Sequence, residues 1–179
     1  MCLSATRPIA KGEEITLRYI NLRDSRTIRR GRLLDMYYFH CECEYCNLPS
    51  EAVAVSDTAR LELKRWQQKS YCISHEWCPN LSLPDNYLVD GHKRCIELHE
   101  REGIIDAIYA GHIEELAVVY AMLGDEQNFR LWAQKAIEQS KIRQMPENTM
   151  FWKEWLSYPQ QNSWGWRIEE KSRKHTYLC

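Results

Sequence analysis

The chain carries 24 Lys and Arg residues against 25 Asp and Glu, a formal net charge of -1 over 179 residues. No global field therefore selects nucleic acid or an anionic membrane, and any binding must be local. Its 44% hydrophobic content is enough for a buried core and excludes disorder as the default state. No apolar run reaches about 18 residues and no basic segment precedes an apolar leader, so neither a membrane span nor a secretory signal is expected. Cys179 at the end does not fit the prenylation pattern. The expected location is the nucleus or the cytoplasm.

In chain order, residues 1–20 read as two short extended segments: Leu3 to Thr6, then Pro8 and a Lys11-Gly12 turn, then Ile15, Leu17 and Tyr19 alternating with Thr16 and Arg18. Two strands bury too little apolar surface to stand alone, so this ribbon expects a larger sheet to pair with. Asp24 or Ser25 can cap a helix running to about Tyr37. After Pro49, Ser56 or Asp57 can cap a second helix to about Gln68, with Ala59, Leu63 and Trp66 on one side and a loop over roughly 70 to 84 behind it.

From Asp85 the pattern is helical almost throughout. A first helix runs to about Glu102, where Gly103 can close it. Ile105, Ile108, Tyr109, His112, Leu116, Val119, Tyr120 and Leu123 form one stripe before Gly124-Asp125, and Phe129, Trp132, Ala133, Ala136, Ile137 and Ser140 form another after it. That pattern predicts a helical hairpin. Ala117, Tyr120, Gly124, Ala133 and Ala136 resemble one tetratricopeptide-type repeat, with Phe129 where that repeat usually has a small residue. A short helix from about Asn148 to Leu156 follows, and the last twenty residues read either as a docked tail or as disorder. The chain thus divides into residues 1–50, a helix and linker over 51–84, a helical domain over 85–160 and a tail over 161–179.

Three of the eight cysteines crowd into Cys41-Glu-Cys43-Glu-Tyr-Cys46, a spacing suited to metal ligation rather than to pairing and consistent with a reducing compartment. Upstream of them stand Ala5-Thr-Arg-Pro-Ile-Ala-Lys-Gly-Glu-Glu-Ile-Thr-Leu-Arg-Tyr19 and the aromatic run Tyr37-Tyr38-Phe39. This ordered set resembles the end of a SET domain and its post-SET region, in the SET-and-MYND variety of protein lysine methyltransferase. The fold expected is mainly α: a small β-ribbon remnant of a SET domain followed by an α-helical tetratricopeptide-like domain.

The resemblance implies S-adenosylmethionine as cofactor and a protein lysine as substrate. Methyl transfer to an amine depends mostly on orientation, because the sulfonium donor is already electrophilic. Tyr19 matches the family's active-site tyrosine, whose hydroxyl steers the amine. Tyr37 and Phe39 match positions that flank the adenine and wall the lysine channel, and are expected to be buried. Cys41, Cys43 and Cys46 match three zinc ligands; the family's fourth comes from an Asn-His-x-Cys motif upstream of the catalytic strand. A closed structural zinc site needs four. His40 is too constrained to join, and Cys2, Cys72 or Cys78 would serve only if the fold brought one close. Neither Gly-x-Gly nor Asn-His occurs in these 179 residues, so the chain by itself is expected to be inactive and to bind S-adenosylmethionine poorly. The alternative is a non-enzymatic tetratricopeptide-like module that presents a helical groove to a peptide or protein partner.

Other candidates favour plainer readings. Cys72-Ile-Ser-His75-Glu-Trp-Cys78 is expected to hold loop thiols without metal. Arg18, Arg23, Arg26, Arg29, Arg30 and Arg32 are expected to line a solvated face. Trp152 and Trp155 are assigned to a core, while Trp164 and Trp166 stay open.

Overall fold

The computed structural model describes residue 5, residues 9–15 and residues 17–176. Among the described residues, seven helices account for the regular structure: α1 (Arg26–Tyr37), α2 (Ser50–Trp77), α3 (Tyr87–Arg101), α4 (Ala107–Met122), α5 (Glu126–Ile142), α6 (Pro146–Ser157) and α7 (Trp166–Thr176). The fold is mainly α, as expected. None of the helices is long and apolar enough to cross a membrane.

No strand occurs among the described residues, so the β-ribbon is not found there. The Lys11-Gly12 turn is present: the Glu13 amide donates to the Ala10 carbonyl at 3.1 Å, and Gly12 takes φ +87°. Beyond it Ile15, Leu17 and Tyr19 are exposed, which fits a segment with no sheet to pair with among the described residues. The expectations for Leu3, Ser4, Thr6, Pro8 and Thr16 lie outside the described residues.

Helix α1 starts at Ser25, whose hydroxyl accepts from the Ile28 amide. Asp57 is no cap of its own helix; its carboxylate accepts from the Arg26 amide at 2.7 Å and so completes the N-terminus of α1 from outside. Helix α2 begins six residues before the expected caps and continues through most of the expected loop. Two buried side chains explain its length. Ser56 lies inside it and donates to Glu102 at 2.5 Å, and at its far end Trp77 is fully buried with its indole N–H on the Pro84 carbonyl at 2.9 Å. Tertiary burial thus carries the helix past a stretch of weak periodicity.

From α2 to α6 each helix packs on the next in the chain, and α7 returns to α4. Helix α4 is apolar around most of its circumference, Glu114 and Glu115 excepted, and sits at the centre, with Tyr109, Ala110, Ile113, Leu116, Ala117, Val119, Tyr120 and Ala121 all buried. Its hairpin with α5 forms where predicted: Gly124 at φ +69° follows the end of α4, and Asp125 caps α5 by accepting from the Asn128 amide. Ala117, Ala133 and Ala136 are fully buried, which permits close approach. Trp152 and Trp155 stack with ring centroids 5.4 Å apart inside this core. The tail is docked, not disordered, among the described residues. Arg167 on α7 is completely buried and donates to the Trp77 carbonyl at 2.5 Å and the Leu83 carbonyl at 2.7 Å.

The six arginines of residues 18–32 divide between surface and interior: Arg18, Arg30 and Arg32 are exposed as a solvated face requires, and Arg26 is half-buried. Arg23 and Arg29 are each 3% exposed. Arg23 bonds Asp106, Arg29 donates to the Asp24 carbonyl at 2.7 Å, and Arg32 and Lys64 both meet the buried Asp24 carboxylate. Carboxylates and carbonyls within this chain meet the charge that a solvated face would have left to water.

Candidate metal centre and aromatic cluster

The end of α1 sets up the site. Tyr38 adopts the left-handed conformation at φ 58° and ψ 33°, and its amide still bonds the Leu34 carbonyl at 3.0 Å. A residue other than glycine in this region is strained by roughly 1–2 kcal/mol, and the reversal it makes directs Tyr38 to solvent while Tyr37 and Phe39 turn towards Tyr19. The Tyr19 and Tyr37 ring centroids lie 5.0 Å apart and those of Tyr19 and Phe39 6.1 Å apart, the latter edge to face. The Tyr37 hydroxyl donates to the Tyr19 carbonyl at 3.4 Å. All three rings are partly open: 52% exposed for Tyr19, 40% for Tyr37 and 38% for Phe39. The expected burial of Tyr37 and Phe39 is therefore corrected. They pack on Tyr19, itself half exposed, and not in the helical core.

Four residues on, a tight turn folds the thiols together. The Cys46 and Asn47 amides both donate to the Cys43 carbonyl, at 2.9 and 3.0 Å, and the Asn47 side chain donates to the Glu42 carbonyl at 2.9 Å. As a result the sulfurs of Cys41, Cys43 and Cys46 all lie within 4.8 Å of one another. Cys46 is buried beside Arg29, whose Nη2 lies 4.0 Å from its sulfur. Burial pushes the Cys41 thiol up to about 11, reinforced by the neighbouring thiols. Cys43 goes the other way: burial raises it, but the Cys46 and Tyr45 backbone N–H groups and the adjacent thiols outweigh that and lower it. The shift at Cys43 is in the direction that favours the thiolate, the form a metal ligand takes.

No fourth histidine, cysteine or carboxylate joins the cluster among the described residues. His40 is exposed, and Cys78 is half-buried beside Trp77, its thiol pushed up by burial. Cys2 and the side chains of Cys72 and His75 lie outside the described residues; the Cys72–His75 backbone is helical, not a loop. The described thiols, Cys41, Cys43, Cys46, Cys78 and Cys95, are all free.

No protein-family model matches the chain. A SET and MYND domain-containing protein of Dictyostelium discoideum is 38% identical to it over 74 residues, 40% of this chain and 17% of that protein. A second from the same organism is 33% identical over 81 residues, 45% of this chain and 19% of that protein. A SET domain-containing protein of Dictyostelium is 45% identical over 42 residues, 24% of this chain and 11% of that protein. Over less than half of its length the chain is similar to SET and MYND domain-containing proteins. The matched region spans less than a fifth of each of these longer relatives.

Sequence patterns missed the charged residues that fix the site to the helical stack. Arg60, 2% exposed, donates to the Leu22 carbonyl and to Ser56 at 3.2 Å, and its guanidinium lies 5.1 Å from the centre of the Tyr45 ring. Glu102 pairs with it at 3.2 Å. An arginine inside an apolar stripe, as Arg60 is between Ala59 and Leu63, was the available signal.

Proposed function

We propose that this chain supplies the closing part of the active site of an S-adenosylmethionine-dependent protein-lysine N-methyltransferase. The observation that carries the reading is the convergence of the Tyr19, Tyr37 and Phe39 rings directly before three clustered thiols. Cys41, Cys43 and Cys46 would hold a structural zinc. A tetrahedral site with Zn–S bonds of about 2.3 Å places its sulfurs about 3.8 Å apart, so sulfurs within 4.8 Å of one another need only a small contraction. The fourth ligand would come from elsewhere in the polypeptide.

When bound, S-adenosylmethionine supplies an electrophilic methyl group. The chain's own residues would then act by positioning. Tyr37 steadies the Tyr19 main chain through its hydroxyl, leaving the Tyr19 hydroxyl to orient the lysine amine. The open faces of Tyr37 and Phe39 are suited to a flat base on one side and to the lysine stem on the other. Helices α4 and α5 would serve as a tetratricopeptide-like unit, and a nucleus or cytoplasm would keep the thiols reduced. With no Gly-x-Gly and no Asn-His in these 179 residues, further polypeptide is needed to close the cofactor pocket.

Two measurements test this. Titration of the purified chain with cobalt as a zinc surrogate should give thiolate-to-metal absorption that Cys46→Ser abolishes. A metal-free chain whose melting Cys46→Ser leaves unaltered would remove the zinc reading. Calorimetric titration with S-adenosylmethionine should show no saturable heat, and micromolar binding would overturn the need for a further segment.

A further inference from the structure

Three histidines line the seam between α3 and α4. His92 and His112 are 2% and 4% exposed, and their Nδ1 atoms lie 3.0 Å apart. One Nδ1 must donate and the other accept, so the accepting ring is neutral and carries its own hydrogen on Nε2. Both Nε2 atoms are buried without a partner, so a proton added to the Nε2 of the donating ring would find no acceptor. His99, fully buried, packs 5.5 Å from the His112 ring. Its Nδ1 lies 2.6 Å from the Ile104 carbonyl, which can only accept, so Nδ1 carries the hydrogen and Nε2 is left with a lone pair. That lone pair faces Arg23, whose Nη2 lies 3.4 Å away. Arg23 belongs to the segment that leads into α1, and its seat is thus partly built from a neutral histidine.

We infer that His92, His99 and His112 form an acid-sensitive latch that releases residues 21–24 from the helical stack. Protonating His99 would turn its acceptor into a second donor aimed at the guanidinium. Protonating His92 or His112 would place a charge in the seam beside it.

The groups facing the three rings are Arg23 and Asp106 from the docked segment and the start of α4, Tyr109 on α4, and Trp66 on α2. Of these only Asp106 is acidic, and it is already bonded by Arg18 and Arg23. Tyr109 is committed to Glu100 at 2.9 Å. Burial pushes His92 down to about 4 and His112 to about 3; His92, His99 and Arg23 add to the effect on His112, and Asp106 opposes it. His99 is lowered mainly by burial, with Arg23 adding and the Ile104 carbonyl and Asp106 opposing.

The opened state takes up protons at the ordinary imidazole value of about 6.5. The latch is therefore at full strength above that pH and weakens as pH falls below it. Asp106 stays ionised down to about 2, so its own protonation is not what opens the seam.

Amide hydrogen exchange, corrected for intrinsic rates, tests the latch at about pH 7.5 and about pH 5, on either side of the imidazole range. The Arg23 and Asp24 amides, bonded to Asn21 at 3.0 and 3.3 Å, and the turns around residues 92–112 should lose protection by tenfold or more. Those of α6 should not. The His92→Leu/His112→Leu double variant should suppress most of the difference, and His99→Gln serves the same purpose should the double variant not fold. Uniform loss across the chain, unchanged protection at residues 23–24, or the same pH dependence in the folded variants would overturn the proposal.

Discussion

Arg23 and Asp106, 83 residues apart, are joined by two hydrogen bonds: Nη2 to Oδ1 at 2.8 Å and Nη1 to Oδ2 at 3.0 Å. The same carboxylate caps α4 by accepting from the Ile108 and Tyr109 amides at 3.0 and 3.2 Å. One side chain thus both starts the central helix and holds the segment that leads into the aromatic and thiol site.

Asp106→Asn separates these roles, because asparagine caps about as well as aspartate but cannot neutralise Arg23. Leaving that arginine buried and unpaired should lower stability by roughly 3–5 kcal/mol, read from denaturant midpoints. Asp106→Ala loses the cap as well, by about 1 kcal/mol more. Burial raises the Asp106 pKa, yet Arg23, the Tyr109 amide and Arg18 together hold it down at about 2. A carboxylate lowered in this way stabilises the fold above its ordinary range of about 4, and that contribution is lost as pH falls through about 2.

The helical stack was legible because its stripes are long and periodic and its punctuation is chemical: Ser25, Gly103, Gly124 and Asp125 each stand at the helix end the sequence assigns them. The proximity of the three thiols followed from their spacing alone. What was not legible depended on partners distant in sequence. Ser56 and Asp57 look like helix caps until Glu102 and the Arg26 amide claim them. Arg23 and Arg29 look solvated until Asp106 and the Asp24 carbonyl meet them. Periodicity reports which face is buried, and is silent about which charge waits there.

Two glycines inside helices should respond to alanine with opposite sign. A Cβ on Gly91 would collide with the Cη2 and Cζ2 edge of Trp66, a large, partly buried ring packed against the core, whereas one on Gly31 meets nothing within 4 Å. Gly31→Ala should gain up to about 1 kcal/mol from helix propensity. Gly91→Ala should lose roughly 1–3 kcal/mol to overpacking, with that same gain offsetting only part of it. Paired thermal melts check the difference, and equal shifts would mean that Trp66 has room to move.

Arg167 holds the C-terminal helix. It is fully buried, donates to the Trp77 and Leu83 carbonyls and to Asp85 at 2.8 Å, and stacks with its guanidinium carbon 3.9 Å from the centre of the Trp77 ring. The planar fork reaches several acceptors at once, which a lysine ammonium on a flexible stem does not reproduce. Arg167→Lys should therefore behave much like Arg167→Met, each lowering stability by about 2–4 kcal/mol as carbonyls of the 77–83 turn lose their donors. Asp85→Asn should have a much smaller effect. Asp85 is 40% exposed, so its pairing with Arg167 and Lys171 is screened by solvent. The Trp77 ring gives a local reading as well, because losing the stacked guanidinium should change indole fluorescence in both Arg167 variants and leave it almost unaltered in Asp85→Asn. Full stability in Arg167→Lys would show that charge alone, and not the fork, secures α7 to the loop.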